Sequence, residues 1–173
     1  HNYYNYINYC VQLGFMNGTS EKSFEPDRAV TYGEALKTCA VILGYGIKAE
    51  LKGGYLKTAY DLGLDDGVRL SASSPLHGCE LAKIIENTMS TGLFTVSSMY
   101  EKNGEISRDY VVSESETLLT TFFNIETIEG IVTGNGATTL NVPRDLGKGY
   151  IEIEGVLYKT DAKEMFTELL GRK

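Results

Sequence analysis

Two short segments of this chain place polar and charged side chains where a helix begins, and each could hold an anion. In the first, Thr31 precedes a helical pattern and Glu34 follows three residues later, and in the second, His77 and Glu80 have the same spacing. Thr31 with Glu34 forms a capping box, in which each side chain bonds a backbone N–H of the first turn. The N-terminal end of a helix also attracts anions through its N–H groups and its dipole. Arg28, in the segment before the first box, adds a cation.

Each of these side chains also has a structural explanation. Glu34 and Glu80 are better explained as helix caps than as ligand groups. Tyr32 is expected at an exposed box position, where its ring could stack on a sugar, and His77 could hydrogen-bond a carboxylate or act as a weak N-cap. Arg28 is either the cation of the first box or a solvated surface charge. The candidate ligand-binding residues are therefore Arg28, Thr31, Tyr32, Glu34, His77 and Glu80.

Catalysis has little support in the sequence. The histidines are His1 and His77, and there is no serine elbow, dinucleotide fingerprint or phosphate loop. No pair of carboxylates stands out as flanking a cleft, as a glycosidase would need. Asp65-Asp66-Gly67 lacks the alternating oxygen ligands and the closing glutamate of an EF-hand loop. We therefore expect no enzyme, no cofactor and no metal site.

The cysteines and the charge narrow the class of protein further. Cys10, Cys39 and Cys79 have no CxxC pairing, which argues against a zinc site or a disulfide framework. Cys10 and Cys39 fall on predicted apolar helix faces, so free thiols are favoured over a bridge between them.

The 173 residues carry a net charge of -7, which argues against a nucleic-acid partner, and no apolar run is long enough to span a membrane. The chain begins at His1, so we expect it to be a segment of a longer protein.

The helix that begins at Thr31 is part of a longer pattern of elements. A first helix is predicted over residues 3–13, with Tyr6 on its apolar face, and Gly14 ends it. The other tyrosines of this helix are expected to contact a further copy of the pattern upstream. A loop and an approach stiffened by Pro26 lead to the second helix, which Gly44 and Gly46 end.

The same order of elements recurs downstream. Residues 55–67 match residues 6–18 at an offset of 49, and after a shorter loop Glu80 matches Glu34 at an offset of 46. A unit of this kind cannot cover its apolar faces alone, so the copies must pack on each other. The sequence predicts two helix-loop-helix repeats, residues 1–46 and 47–92.

Residues 93–173 have a different pattern and are predicted as a small α+β domain. Strand-like pieces near Phe94 and Tyr110 flank a polar turn, and Ser113 is expected to cap a helix that reaches Phe123. The expected fold class of the chain is α+β, with two packed repeats and a small, mostly antiparallel sheet or partial barrel with two short helices. The remaining predictions are a strand over residues 125–133, a hairpin over 150–158 and a helix that begins at Asp161 and holds Met165, Phe166, Leu169 and Leu170.

The repeated half of the chain resembles the S-layer homology (SLH) domain of bacterial cell-surface proteins. Members of that family repeat a helix ending in Leu-Gly, a Gly-containing loop, an x-Pro-Asp segment and a Thr-Arg-Ala-Glu box that opens a second helix. Leu13-Gly14, Phe24-Glu25-Pro26-Asp27 and Thr31-Tyr32-Gly33-Glu34 match this order closely. Leu62-Gly63 and Pro75-Leu76-His77-Gly78-Cys79-Glu80 match it more loosely.

The resemblance implies an extracellular protein at the surface or wall of a Gram-positive, clostridial-type bacterium. Three such repeats form a three-lobed assembly that holds secondary cell-wall polysaccharide, often carrying pyruvate ketals, and the box arginine suits the ketal carboxylate. Here Tyr32 and Gly78 stand at the arginine positions, so the boxes are degenerate. The resemblance therefore implies attachment to that polysaccharide or to the S-layer, and the alternative is a purely architectural or assembly unit of a large surface protein that has lost glycan binding.

Overall fold

A computed structural model of the chain divides into two compact units, His1–Ile125 and Glu126–Lys173. Helices and two small antiparallel sheets occur together, which confirms the α+β class. The residues that the structure describes are 3–20, 23–51, 53–161 and 167–173.

The first unit holds the helices and a long hairpin, and the second holds a small sheet. The elements of the first unit are α1 (Tyr4–Gln12), α2 (Tyr32–Ile42), α3 (Gly46–Leu51), α4 (Tyr55–Asp61), α5 (Gly78–Ser90), β1 (Gly92–Lys102), β2 (Glu105–Thr117) and α6 (Leu118–Phe123). The elements of the second unit are β3 (Val132–Gly134), β4 (Tyr150–Ile153), β5 (Val156–Lys159) and a 3-10 turn (Thr167–Leu169).

Helix α2 is the centre of the first unit. Its Leu36 and Ala40 side chains are fully buried in a core that also holds Ala59 of α4 and Ile84 of α5. Burying one Leu or Ile side chain contributes roughly 1.5–3 kcal/mol, so the packing of α4 and α5 on α2 stabilises this unit. Gly44, at φ +88°, ends α2 as predicted.

Two features of the helical region bear on the sequence predictions. Helix α3 was not predicted, because six residues are too few to show a helical pattern, yet its Ala49 is fully buried. The three cysteines are free, and Cys39 lies in the core, which confirms the interpretation of Cys39 as a small hydrophobe and excludes the bridge to Cys10.

Helix α1 forms where it was predicted, but it lies outside the core. None of its residues is buried, and the Tyr6 side chain is 73% exposed. The expectation that Tyr6 is a core residue is therefore wrong. The physical reason is that α1 makes no extensive contact with another described helix, whereas the matching face of α4 lies against α2.

A hairpin of two long strands extends from the helical core. Asn103 and Gly104, at φ +56° and +81°, form its two-residue turn, which the sequence predicts. Its base is tied to the core by stacked rings, with centroid distances of 4.9 Å from Tyr45 to Phe94 and 5.2 Å from Phe94 to Tyr110. This stacking explains why β1, β2 and α6, expected in a C-terminal domain, belong to the same compact unit as the helices.

The helix expected from Ser113 begins later. Residues 113–117 continue β2, and α6 begins at Leu118 behind Thr117, whose side chain accepts from the Thr120 N–H at 3.2 Å. Ser113 does accept from the Glu116 N–H at 2.9 Å, but within the strand. Ser113 and Glu116 therefore make the hydrogen bond of a helix cap although no helix follows directly after them.

The second unit is a three-stranded antiparallel sheet in the order β3-β4-β5. The predicted hairpin is confirmed, with Glu154 and Gly155 as its turn residues, but the expected long strand over 125–133 is reduced to Val132–Gly134. The strands thus form two antiparallel sheets, the β1–β2 ribbon and this one, where one sheet or partial barrel was expected. Of the predicted final helix, Met165 and Phe166 lie outside the described residues, and Leu169 belongs to a 3-10 turn.

Candidate functional site

The first box is a closed network of three side chains at the start of α2. Thr31 accepts the Glu34 N–H at 3.3 Å, and Glu34 Oε2 accepts the Thr31 N–H at 2.9 Å, which confirms the capping box. Arg28 Nη2 donates to Glu34 Oε1 at 2.6 Å. The structure therefore brings Arg28, Thr31 and Glu34 together.

This network fixes the charge of the Glu34 carboxylate. The Arg28 hydrogen bond, together with the Thr31 N–H, lowers the pKa of Glu34 from 4.5 to about 2. The same contact raises the pKa of Arg28. Both groups stay ionised at neutral pH, so the box presents a bonded ion pair and not a free cation.

The backbone N–H groups at the start of α2 already have acceptors within the protein. The Tyr32 and Gly33 N–H groups donate to the carbonyls of Ser74 and Ala72, each at 2.9 Å, and Glu34 donates to Thr31. These bonds join the approach to α2 with the approach to α5 in an antiparallel pairing. The expectation that box 1 offers free N–H groups to an anion is therefore wrong.

Tyr32 is a core residue and not an exposed one. Its side chain is 1% exposed, and its hydroxyl donates to the Val68 carbonyl at 3.3 Å. Burial, with a contribution from Asp65, raises the pKa of Tyr32 to about 12. The expectation of an exposed ring that stacks on a sugar is corrected, because this ring fills the space below the box.

A pocket of about 240 Å³ opens beside the first box. Its wall consists of the loop 15–19, side chains between residues 24 and 30, and Glu34, Lys37 and Thr38 of α2. Pockets for drug-sized ligands measure about 300–1,000 Å³, so this one suits a single sugar residue. It combines apolar groups with two cations, Arg28 and Lys37.

Lys37 is a candidate that the list of ligand-binding residues missed. It lines this pocket and also a neighbouring open groove with Gly53, Gly54 and Tyr55. Its Nζ lies 5.2 Å from the centroid of the Tyr55 ring. The signal that could have identified it is its recurrence as Lys83, three residues after Glu80 as Lys37 is after Glu34.

The second box keeps the cap but has more open surroundings. The His77 N–H donates to Glu80 Oε2 at 2.8 Å, and the His77 side chain is exposed as expected. The N–H groups of Gly78 and Cys79 have no acceptor within the part of the chain that the structure describes. A Cβ added at Gly78 would meet nothing within 4 Å.

Comparison with known protein families finds one match, at the N-terminal end of the chain. Residues 1–36, which include α1, the pocket loop and box 1, match the model of the S-layer homology domain. This segment is therefore similar to an S-layer homology domain. No curated protein and no solved structure matches the chain.

The S-layer homology domain indicates a protein of the cell surface or cell wall. S-layer homology domains as a family are non-catalytic attachment domains, which bind cell-wall polysaccharide or the S-layer. None of the described helices is long and apolar enough to cross a membrane. Among the same residues, no group of three or more His, Cys, Asp or Glu side chains is placed to hold a metal ion.

Proposed function

We propose that residues 1–92 form a non-catalytic module of two S-layer homology repeats, which attaches to acidic secondary cell-wall polysaccharide through the pocket beside box 1. The observation that carries this proposal is the pocket itself. It lies next to the box of the S-layer homology segment and places Arg28 and Lys37 around an opening sized for one sugar residue. A sugar carboxylate, such as that of a pyruvate ketal, is the anion that these cations suit.

The two cations are expected to contribute unequally. Arg28 already bonds Glu34, so a ligand carboxylate would share a guanidinium that has further N–H donors. Lys37 lies over the Tyr55 ring, and an aromatic face leaves the ammonium its positive charge. We therefore expect Lys37 to contribute more to binding than Arg28.

The degenerate boxes predict weak attachment. A hydrogen bond to a charged group contributes roughly 1.5–3 kcal/mol, and Tyr32 and Gly78 replace the arginine that would supply one in each box. The pocket cations compensate for part of this loss. Binding is therefore expected to depend on several copies of the module acting together.

Co-sedimentation of the full chain with cell-wall sacculi tests the proposal. The probes are sacculi that carry pyruvylated polysaccharide and the same sacculi after its removal. Lys37→Ala is expected to reduce binding by about fivefold or more, because it removes a charge-assisted contact. Lys57→Ala is the matched control, since Lys57 is an exposed lysine of α4 that pairs with Asp61. Equal binding by both variants, or by stripped sacculi, contradicts the proposal.

An architectural role is the second candidate, and the closed bonding of box 1 favours it. The charged and polar groups of that box are satisfied within the protein, as a purely structural unit requires. Gly78→Arg distinguishes the two functions, because it restores the family arginine at a position with free space. Increased binding to the polysaccharide supports attachment, and unchanged binding supports the architectural role.

A further inference from the structure

The β1–β2 hairpin has one polar face and one apolar face. The polar face is identified by two hydrogen bonds to Asp109, from Ser98 Oγ at 3.0 Å and from the Tyr100 hydroxyl at 3.3 Å. Side chains alternate between the faces of a strand, so the residues next to these on each strand belong to the opposite face.

A bulge sets the composition of the opposite face. Val96 pairs with Tyr110 and Ser98 with Asp109, so Ser97 is an extra residue in β1. Without the bulge, regular alternation through Ser97 would place Met99 on the polar face with Asp109. With it, the face opposite Asp109 holds Phe94, Val96, Met99 and Glu101 of β1, and Ile106, Arg108, Tyr110 and Val112 of β2.

Beyond its base, this apolar face is uncovered. Phe94 stacks on Tyr45 of the core and Tyr110 stacks on Phe94. Met99 and Ile106, however, are 67% and 69% exposed, and Val96 and Val112 are also exposed. A two-stranded ribbon is marginally stable in water, and exposed apolar patches of this kind usually mark a contact surface. The bulge therefore aligns an apolar surface for something outside the ribbon.

We propose that this hairpin face pairs two copies of the chain, one ribbon against the other. The argument for a second copy is the charge pattern, because the face carries one acid, Glu101, and one base, Arg108. In a two-fold symmetric contact, residue i meets residue j and j meets i. Arg108 of each copy then pairs with Glu101 of the other, twice per dimer, around the four exposed apolar side chains.

The size of the face predicts a weak dimer. The eight residue pairs from Phe94↔Val112 to Lys102↔Glu105 make this part of the ribbon about 25 Å long, at about 3.3 Å per residue. Such a face buries less than the roughly 1,200 Å² of a stable interface, so association is expected at high local concentration, as on a crowded surface.

Sedimentation equilibrium of the full chain over a roughly hundredfold concentration range tests the proposal. The wild type is expected to shift reversibly from monomer to dimer. Arg108→Glu places like charges at both ion-pair positions and is expected to weaken the dimer by about tenfold or more. Lys102→Glu is the matched control, because it makes the same charge change on the polar face, opposite Glu105.

A charge exchange separates this contact from any other association. The double variant Glu101→Arg with Arg108→Glu restores opposite charges across the interface, so its dimer constant is expected to return to within about threefold of the wild-type value. Val11→Asp, on the exposed face of α1, must leave the dimer unchanged. A wild type that stays monomeric, or a double variant no better than Arg108→Glu, overturns the proposal.

Discussion

Helices α1 and α4 hold the same place in the two proposed repeats, but their surroundings differ. Ala59 of α4 is fully buried against α2, whereas Cys10, its equivalent in α1, is half-buried on a helix without buried residues. Both sequences form a helix that ends at Leu-Gly. The periodic pattern therefore determines the helix, and a neighbouring helix determines whether its apolar face is buried.

The two boxes show the same contrast for polar groups. Glu34 and Glu80 each accept the N–H of the residue three positions before them. Only Glu34 of the two also receives a described hydrogen bond from an arginine, and the residues after the two caps, Tyr32 and Gly78, are buried and exposed respectively. One motif thus gives one cap in two different electrostatic environments.

The largest expected difference between the repeats comes from placing a carboxylate on the equivalent helix faces. Ala59→Asp buries a charge in the core and is expected to cost about 3 kcal/mol or more of unfolding free energy. Cys10→Asp is expected to cost less than about 1 kcal/mol, because α1 is open to solvent. Urea unfolding followed by circular dichroism measures both. Similar losses would mean that α1 is as well packed as α4.

Arginine substitutions at the equivalent box positions, Tyr32 and Gly78, are expected to give the next largest difference in unfolding free energy. Tyr32→Arg replaces a buried ring that bonds Val68, so we expect a loss of about 3 kcal/mol or more. Gly78→Arg is expected to change the unfolding free energy by less than about 1 kcal/mol, because the added side chain meets free space and arginine favours a helix more than glycine does. Thermal unfolding of both variants checks this. If Tyr32→Arg were as stable as the wild type, the Tyr32 side chain would have to lie at the surface and not in the core.

The sequence predicted local features better than their surroundings. The caps, the Gly-ended helices and the Asn-Gly turn were predictable because each depends on residues within a few positions. The burial of Tyr32 was not, because the residue that its hydroxyl bonds, Val68, is far away in the sequence. The Arg28 contact also depends on how the approach loop folds back on α2, and no periodic pattern encodes such a fold.

Alanine substitutions at the two N-cap residues, Thr31 and His77, are expected to give a smaller difference in unfolding free energy. Thr31→Ala removes the side-chain acceptor of the Glu34 N–H and is expected to cost about 1 kcal/mol. His77→Ala is expected to cost a few tenths of a kcal/mol, because the described cap bond at this end runs from the His77 backbone to Glu80 and survives the change. Chemical denaturation of the two variants gives the comparison. A larger loss for His77→Ala would show that its side chain is the stronger cap.

The smallest expected effect concerns the charge of the Glu34 carboxylate in the first box, as distinct from the shape of its side chain. The pKa of Glu34 is lowered to about 2 in the folded chain, so its contribution to stability is fully present above the unfolded value near 4.5 and is lost as the pH falls through about 2. Nearly half of the Glu34 side chain is exposed, and solvent screening reduces the contribution at neutral pH to about 0.5–1 kcal/mol.

Glu34→Gln tests this, because it keeps the shape of the side chain and removes the charge that Arg28 binds. The variant is expected to be less stable than the wild type at neutral pH, and the difference should close between about pH 4.5 and pH 2. Glu80→Gln is the control, since the glutamine oxygen can still accept the His77 N–H, and its loss at neutral pH should be smaller. If the difference for Glu34→Gln stays constant down to pH 2, the box is held by geometry and the Arg28 ion pair adds nothing.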